Sequence, residues 1–149
     1  MNETLNTAER LNHLTQIIPP LLHSIPEKEF AYKPTPGKWS KKEIIGHLID
    51  SATNNHHRFI RSRVEDVPDI TYNQDKWNDL THYNDVNSSV IIQLWEAYNK
   101  LIAHILSNMS SEDLLRKCKA GDKEHTLLYI ITDYVDHLEH HLKQVVEYD

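Results

Sequence analysis

Trp39-Ser40-Lys41-Lys42-Glu43-Ile44-Ile45-Gly46-His47-Leu48-Ile49-Asp50 carries the best-marked helix start in the chain. Ser40 followed by Glu43 is a capping box, in which each side chain satisfies the other residue's free backbone N–H. Trp39 and Ile44 stand at the N′ and N4 positions of a hydrophobic staple. The spacing predicts a helix from here to about Val64, with Ile44, Leu48, Ala52, Phe59 and Ile60 facing inward. His47 lies near its beginning.

Outward from this helix the pattern stays helical. Leu5, Ala8, Leu11, Leu14, Ile18, Leu22 and Ile25 recur at helical spacing in a first amphipathic helix. Pro19-Pro20 is expected to kink or restart it, because proline lacks a backbone donor and clashes with the preceding turn. Tyr32-Lys33-Pro34-Thr35-Pro36-Gly37 reads as a connector. Residues 65–87 form a connection of about twenty residues, long for a bundle. Its aromatics Tyr72, Trp77 and Tyr83 argue against disorder. It either crosses between two parallel helices or lies over a site as a lid.

A third helix is expected after Asn87 or Ser88, with Val90, Ile91, Leu94, Trp95, Tyr98, Leu101, Ile102 and Ile105 as its apolar stripe. Ser110 to Leu115 reads as a short turn of helix, and Lys119 to Lys123 as a turn. The fourth helix spans about Thr126 to Glu147, burying Leu127, Ile131, Tyr134, Leu138, Leu142 and Val145. The fold expected is all-α, a four-helix bundle with one long connection between helices two and three, as a single domain over 1–149.

Composition narrows the function classes. The formal charge of −6, from 16 basic and 22 acidic residues, and the lack of a Lys/Arg run argue against nucleic acid as a partner. No basic-then-apolar leader opens the chain, and no stretch is apolar enough to span a bilayer, so no membrane is implied and a cytoplasmic protein is expected. Cys118 is the lone cysteine; it forms no disulfide framework, and with no motif or base beside it a nucleophilic role is rejected. Three glycines disfavour an all-β fold.

Eleven histidines are unusual. His13, His23, His82, His104 and His125 read as solvated, and His56 and His57 as exposed. In Asp136-His137-Leu138-Glu139-His140-His141, His137 and His141 stand one turn apart on one helix face. Bundles build metal sites from side chains projecting inward from facing helices, so His47 can join them. Three neutral nitrogens leave a coordination position open, as catalytic sites do. A solvated histidine-rich helix end is the competing reading. Leu138 occupies the place of the glutamate in a His-Glu-x-x-His protease motif, and Glu139 points away from any metal held by His137 and His141. His140 falls on a different face, and its role is open.

Asp50, at i+3 from His47, is the carboxylate best placed as base or as partner to a ligand, with an exposed helix charge as the equal alternative. Asn54 continues that face, followed by Arg58 and Arg61. An arginine there can bind a substrate carboxylate with two parallel bonds, or form a surface ion pair worth little, which is the simpler reading of each singly. Tyr134 can donate to a ligand or simply fill the core.

Gly37-Lys38-Trp39-Ser40, His47-Leu48-Ile49-Asp50-Ser51 and His137-x-x-His140-His141 resemble the DinB superfamily, and within it the YfiT-type branch of metal-dependent hydrolases. The segment from Asp50 through Asn54 to Arg61 and the loop Tyr72-Asn73-Gln74-Asp75-Lys76-Trp77 resemble the same branch. The resemblance implies an up-down-down-up bundle, with the long connection as crossover, and zinc or nickel bound by His47, His137 and His141. It implies a homodimer, a small-molecule substrate and, from relatives such as bacillithiol transferases and a mycothiol-dependent isomerase, a low-molecular-weight thiol as cosubstrate. The expected function is a thiol S-transferase; a metal-dependent hydrolase and a non-catalytic, stress-linked metal-binding bundle are the alternatives.

Overall fold

A computed structural model describes residues 2–149. Four long helices, α1 (Asn2–His23), α3 (Lys41–Arg61), α5 (Ser88–Ser107) and α7 (Leu127–Leu142), form a bundle. The connections hold the short helices α2 (Glu27–Phe30), α4 (Gln74–Thr81) and α6 (Ser111–Leu115), a 3-10 turn at Tyr83–Asp85, and a hairpin of β1 (Lys117–Ala120) and β2 (Lys123–Thr126). No helix among the described residues is long and apolar enough to cross a membrane.

α1 packs against α5 and α7, and so does α3, so α1 and α3 lie across one diagonal of the bundle and α5 and α7 across the other, while α3 and α5 are neighbours. The contacts give the directions. Near the start of α3, Lys42 Nζ donates to Asn84 O just before α5, and farther along His56 meets Tyr98, so α3 and α5 run parallel. His47 meets His137 and His141 while Phe59 meets Tyr134, so α3 and α7 run antiparallel. The bundle is up-down-down-up, and the long connection is its crossover.

Local chemistry sets the ends of the helices. Ser40 accepts from Glu43 N–H at 3.0 Å while Glu43 Oε1 accepts from Ser40 N–H at 2.9 Å, the expected capping box. Ser110 and Asp113 repeat it on α6, Asn73 caps α4, Asn87 caps α5 and Thr126 caps α7. The core joins Leu11, Leu14, Ile18 and Leu22 to Ile45, Leu48, Ala52 and Phe59, to Ile91, Trp95 and Ile102, and to Leu127, Ile131, Tyr134, Leu138 and Leu142. Each large apolar side chain so buried contributes about 1.5–3 kcal/mol before entropy is counted.

Several sequence expectations need correction. Pro19 and Pro20 stand inside α1, which does not restart there. Proline's fixed φ suits a helix, and the chain keeps its course by packing, with Ser24 N–H returning to Pro20 O at 3.2 Å. α3 ends at Arg61 and α7 at Leu142, earlier than the apolar periodicity suggested. Leu5, Ile60, Val90, Leu94 and Leu101 are exposed, because the apolar stripe of each helix is wider than the face its neighbours cover. Lys119 to Lys123 is the tip of a hairpin, with Gly121 at φ 70° in a two-residue turn. A glycine at the first central position is what a type II′ turn requires.

The crossover is lashed down along its length. Lys119 N–H donates to Pro68 O and Ile70 N–H to Lys119 O, both at 2.9 Å, joining it to the hairpin. Asn78 Nδ2 donates to Glu43 O at 2.9 Å, fixing α4 on α3. The Tyr83 ring lies flat against the bare Cα of Gly46.

Candidate metal centre

The capping box that starts α3 places His47 two turns into the bundle, fully buried. The Thr126 cap starts α7 so that His137 and His141 turn toward it from the opposite wall. His47 Nε2 and His137 Nε2 are 3.1 Å apart, and one ring nitrogen from each of the three lies within 4.8 Å of the others. Two nitrogens on one tetrahedral ion, each about 2.0–2.1 Å from it, are separated by about 3.3 Å, so the 3.1 Å pair fits a shared cation and the third nitrogen, up to 4.8 Å away, would draw in on binding.

The electrostatics agree. Burial, helped by the neighbouring His137 and His141, lowers the His47 pKa to about 3. Burial and His141 lower His137 to about 4. Both rings are therefore neutral near pH 7 and can offer a lone pair. His141 Nδ1 donates to Gln144 Oε1 at 2.9 Å, which leaves Nε2 free to ligate. His47 Nδ1 is buried without a partner among the described residues. The Trp39 ring covers His47 with centroids 4.8 Å apart, so the residue read as a hydrophobic staple also roofs the centre.

His140 is exposed and stands outside the cluster. Glu139 does turn away: its carboxylate takes two bonds from Arg10, at 2.6 and 3.1 Å, and one from Tyr148. Asp50 is buried, which removes the exposed-charge alternative. Its Oδ1 accepts from Tyr83 OH at 2.6 Å, while Oδ2 has no partner among the described residues. Burial raises its pKa to about 6, against the opposite pull of the Tyr83 bond.

A folded-state pKa above the unfolded value means that the native state binds the proton more tightly. Asp50 therefore adds stability below about pH 4 that is lost as the pH rises through about 6. Asp50→Asn removes this dependence. The variant is expected to gain on wild type by about 2–3 kcal/mol between pH 4 and pH 7, read from urea denaturation of both proteins at each pH. A difference that stays flat across that window would show that Asp50 is not held as the geometry implies.

Beside the histidines lies a hollow of about 120 Å³ lined by Ser51, Asn55, Arg58, Tyr72, Asp133, Tyr134 and His137. Of the expected binding residues only Arg58 lines it. Asn54 Nδ2 donates to Asp50 O, and Arg61 pairs with exposed Glu65 and borders a separate, apolar hollow with His56, His57 and Ile60. The row expected from helical spacing runs His47, Asp50, Asn54, Arg58, Arg61. The hollow follows the adjacent row, His47, Ser51, Asn55, Arg58, because α7 approaches α3 from that side. Asp133, one turn before His137, was legible by the same spacing, whereas Tyr72 arrives from the crossover and gave no periodic signal. The Tyr134 hydroxyl donates to buried Asn99 Oδ1 at 2.5 Å and so belongs to the core.

An antiparallel helix pair bringing three imidazoles together within a crossed-over four-helix bundle defines a class of metal-site bundle proteins. The DinB superfamily model matches residues 10–145, and the chain belongs to that superfamily. It is 25% identical over 114 residues to YfiT of Bacillus subtilis (strain 168), which is provisionally named a metal-dependent hydrolase. It is 29% identical over 111 residues to a protein of Oceanobacillus iheyensis with the same provisional name. These alignments take in 74% and 73% of this chain but only 64% of each relative's length. The solved YfiT structure, described as a probable metal-dependent hydrolase with an unusual four-helix bundle topology, superposes with a TM-score of 0.79 at 21% identity. The match covers 93% of this chain and 83% of that one, a likeness of fold.

Proposed function

We propose that the chain is a divalent-metal-dependent enzyme that joins the sulfur of a low-molecular-weight thiol to an electrophilic small molecule, with His47, His137 and His141 as ligands. The convergence of their three ring nitrogens carries this reading. All-imidazole sites suit zinc and nickel, and three protein ligands leave room for a substrate. A cation held there would supply Lewis acidity, drawing the proton from a thiol near neutral pH.

The protein's own groups orient and enclose. Trp39 shields His47, Gln144 holds the tautomer of His141, and Ser51, Tyr72 and Arg58 offer hydrogen-bond donors beside His137. The second reading is a metal-dependent hydrolase, favoured by the names of the relatives. Water chemistry benefits from a base; of the carboxylates near the histidines Glu139 is engaged with Arg10 and Asp50 Oδ1 with Tyr83, which leaves Asp133, one turn before His137, as the candidate without an ion-pair partner among the described residues. Thiol chemistry makes no such demand and is preferred here. The protein would work in the cytoplasm as a homodimer, and the exposed row Val90, Leu94 and Leu101 on α5 is a surface that a second copy would cover.

Size-exclusion chromatography with in-line elemental analysis should give about one zinc or nickel ion per chain in a peak of dimer mass. That material should conjugate a bacillithiol-like thiol to an aryl halide and lose the activity on chelation. Ester or amide hydrolysis indifferent to thiol would move the assignment to the second reading. Failure to take up either metal would end both.

A further inference from the structure

We infer that the hollow beside His137 is a subsite for a zwitterion, with Arg58 receiving a carboxylate and Asp133 an ammonium of the same small ligand. The inference rests on the metal-site assignment and names the ligand class that site would serve.

Arg58 is half-buried on α3 and has no carboxylate within ion-pair distance among the described residues, unlike Arg10, Arg61 and Arg63. It is nonetheless held firmly. Nε and Nη2 donate to Ile70 O at 3.1 and 2.7 Å, Nη1 reaches Asn55 Oδ1 at 3.3 Å, and Cζ sits 6.0 Å from the Tyr72 ring centre. A guanidinium has five N–H donors. Three are used here. That leaves one N–H on each of Nη1 and Nη2 for a ligand, and two such N–H groups can hold the two oxygens of a carboxylate.

Asp133, exposed on α7, borders the same hollow and is also without an ion-pair partner among the described residues. Arg58 and Asp133 thus present opposite charges from opposite walls of one small cavity without meeting each other. A single-charge ligand would pair with one wall and leave the other to solvent. A zwitterion satisfies both. At about 120 Å³ the cavity equals roughly four waters in bulk volume, enough for the charged head of an α-amino acid beside His137.

The test is isothermal titration of metal-free and zinc-loaded protein with three probes: S-methyl-L-cysteine, its decarboxylated analogue 2-(methylthio)ethylamine, and its deaminated analogue 3-(methylthio)propionate. The zwitterion is expected to bind about tenfold more tightly than either analogue, in both forms of the protein. Asp133→Asn should abolish the preference over the propionate and keep that over the amine. Arg58→Gln should do the reverse. Because Arg58 also anchors Ile70, Arg58→Lys, which keeps the charge and loses the fork, is the second variant should the glutamine one fail to fold, and it should narrow the preference over the amine without touching that over the propionate. Three probes binding within about threefold of one another, no binding by any of them, or a preference indifferent to Asp133→Asn overturns the inference. Since the metal-free arm needs no ion, its outcome is separable from failure of the metal assignment, which is read by zinc uptake alone.

Discussion

His141→Ala is expected to lower the affinity of the chain for zinc or nickel by more than about 100-fold while moving the melting temperature of the metal-free protein by no more than about 2–4 °C. The expectation follows from where the three ligands sit. His47 is fully buried, so cutting it back would open a cavity as well as remove a nitrogen. His141 is half-buried near the end of α7, and its one side-chain hydrogen bond is to Gln144. Its loss therefore strips a ligand with little cost in packing. A chelating dye in competition gives the affinity and calorimetry the stability. Should the metal-free variant unfold, the histidine cluster is structural and the catalytic reading falls. Unchanged affinity would mean that the ion is held elsewhere.

Gly46→Ala is expected to destabilise the protein by about 2–3 kcal/mol, although helix propensity alone predicts the opposite sign. Alanine in a helix interior is favoured over glycine by about 0.5–1 kcal/mol. At Gly46 a methyl group would fall inside the Tyr83 ring, meeting three of its carbons. Tyr83 is buried and its hydroxyl is tied to Asp50, so it cannot yield without surrendering that bond and the seat of the crossover on α3. The clash is worth more than the propensity. Urea denaturation is the measurement, with Gly37→Ala as control, since nothing lies within 4 Å of a methyl group there. A Gly46→Ala protein as stable as wild type would mean that the Tyr83 contact is not what holds the crossover.

The bundle was readable because its signals are local. Ser40 and Glu43 mark a helix start by residue type and spacing, and the capping box forms as read. The histidine triad was readable for a related reason: His137 and His141 share a face by periodicity, and a bundle leaves few places from which a third inward histidine can come. Side-chain partners across the fold were less legible. That Tyr83 would claim Asp50, or that Ile70 O would clamp Arg58, depends on how a segment some twenty residues long returns to α3, and no period encodes such a path. The exposed Val90, Leu94 and Leu101 make the same point from the other side, since periodicity tells which residues share a face but not how much of it a neighbour will cover.

The seam between α3 and α7 joins residues 90 positions apart. Until α7 has been synthesised and wound against α3, the growing chain owns one of the three ligand nitrogens and cannot grip an ion at this site. On the proposed assignment, acquisition of metal would be a late event in biogenesis, and occupancy of the site would certify that the whole crossover topology had been completed.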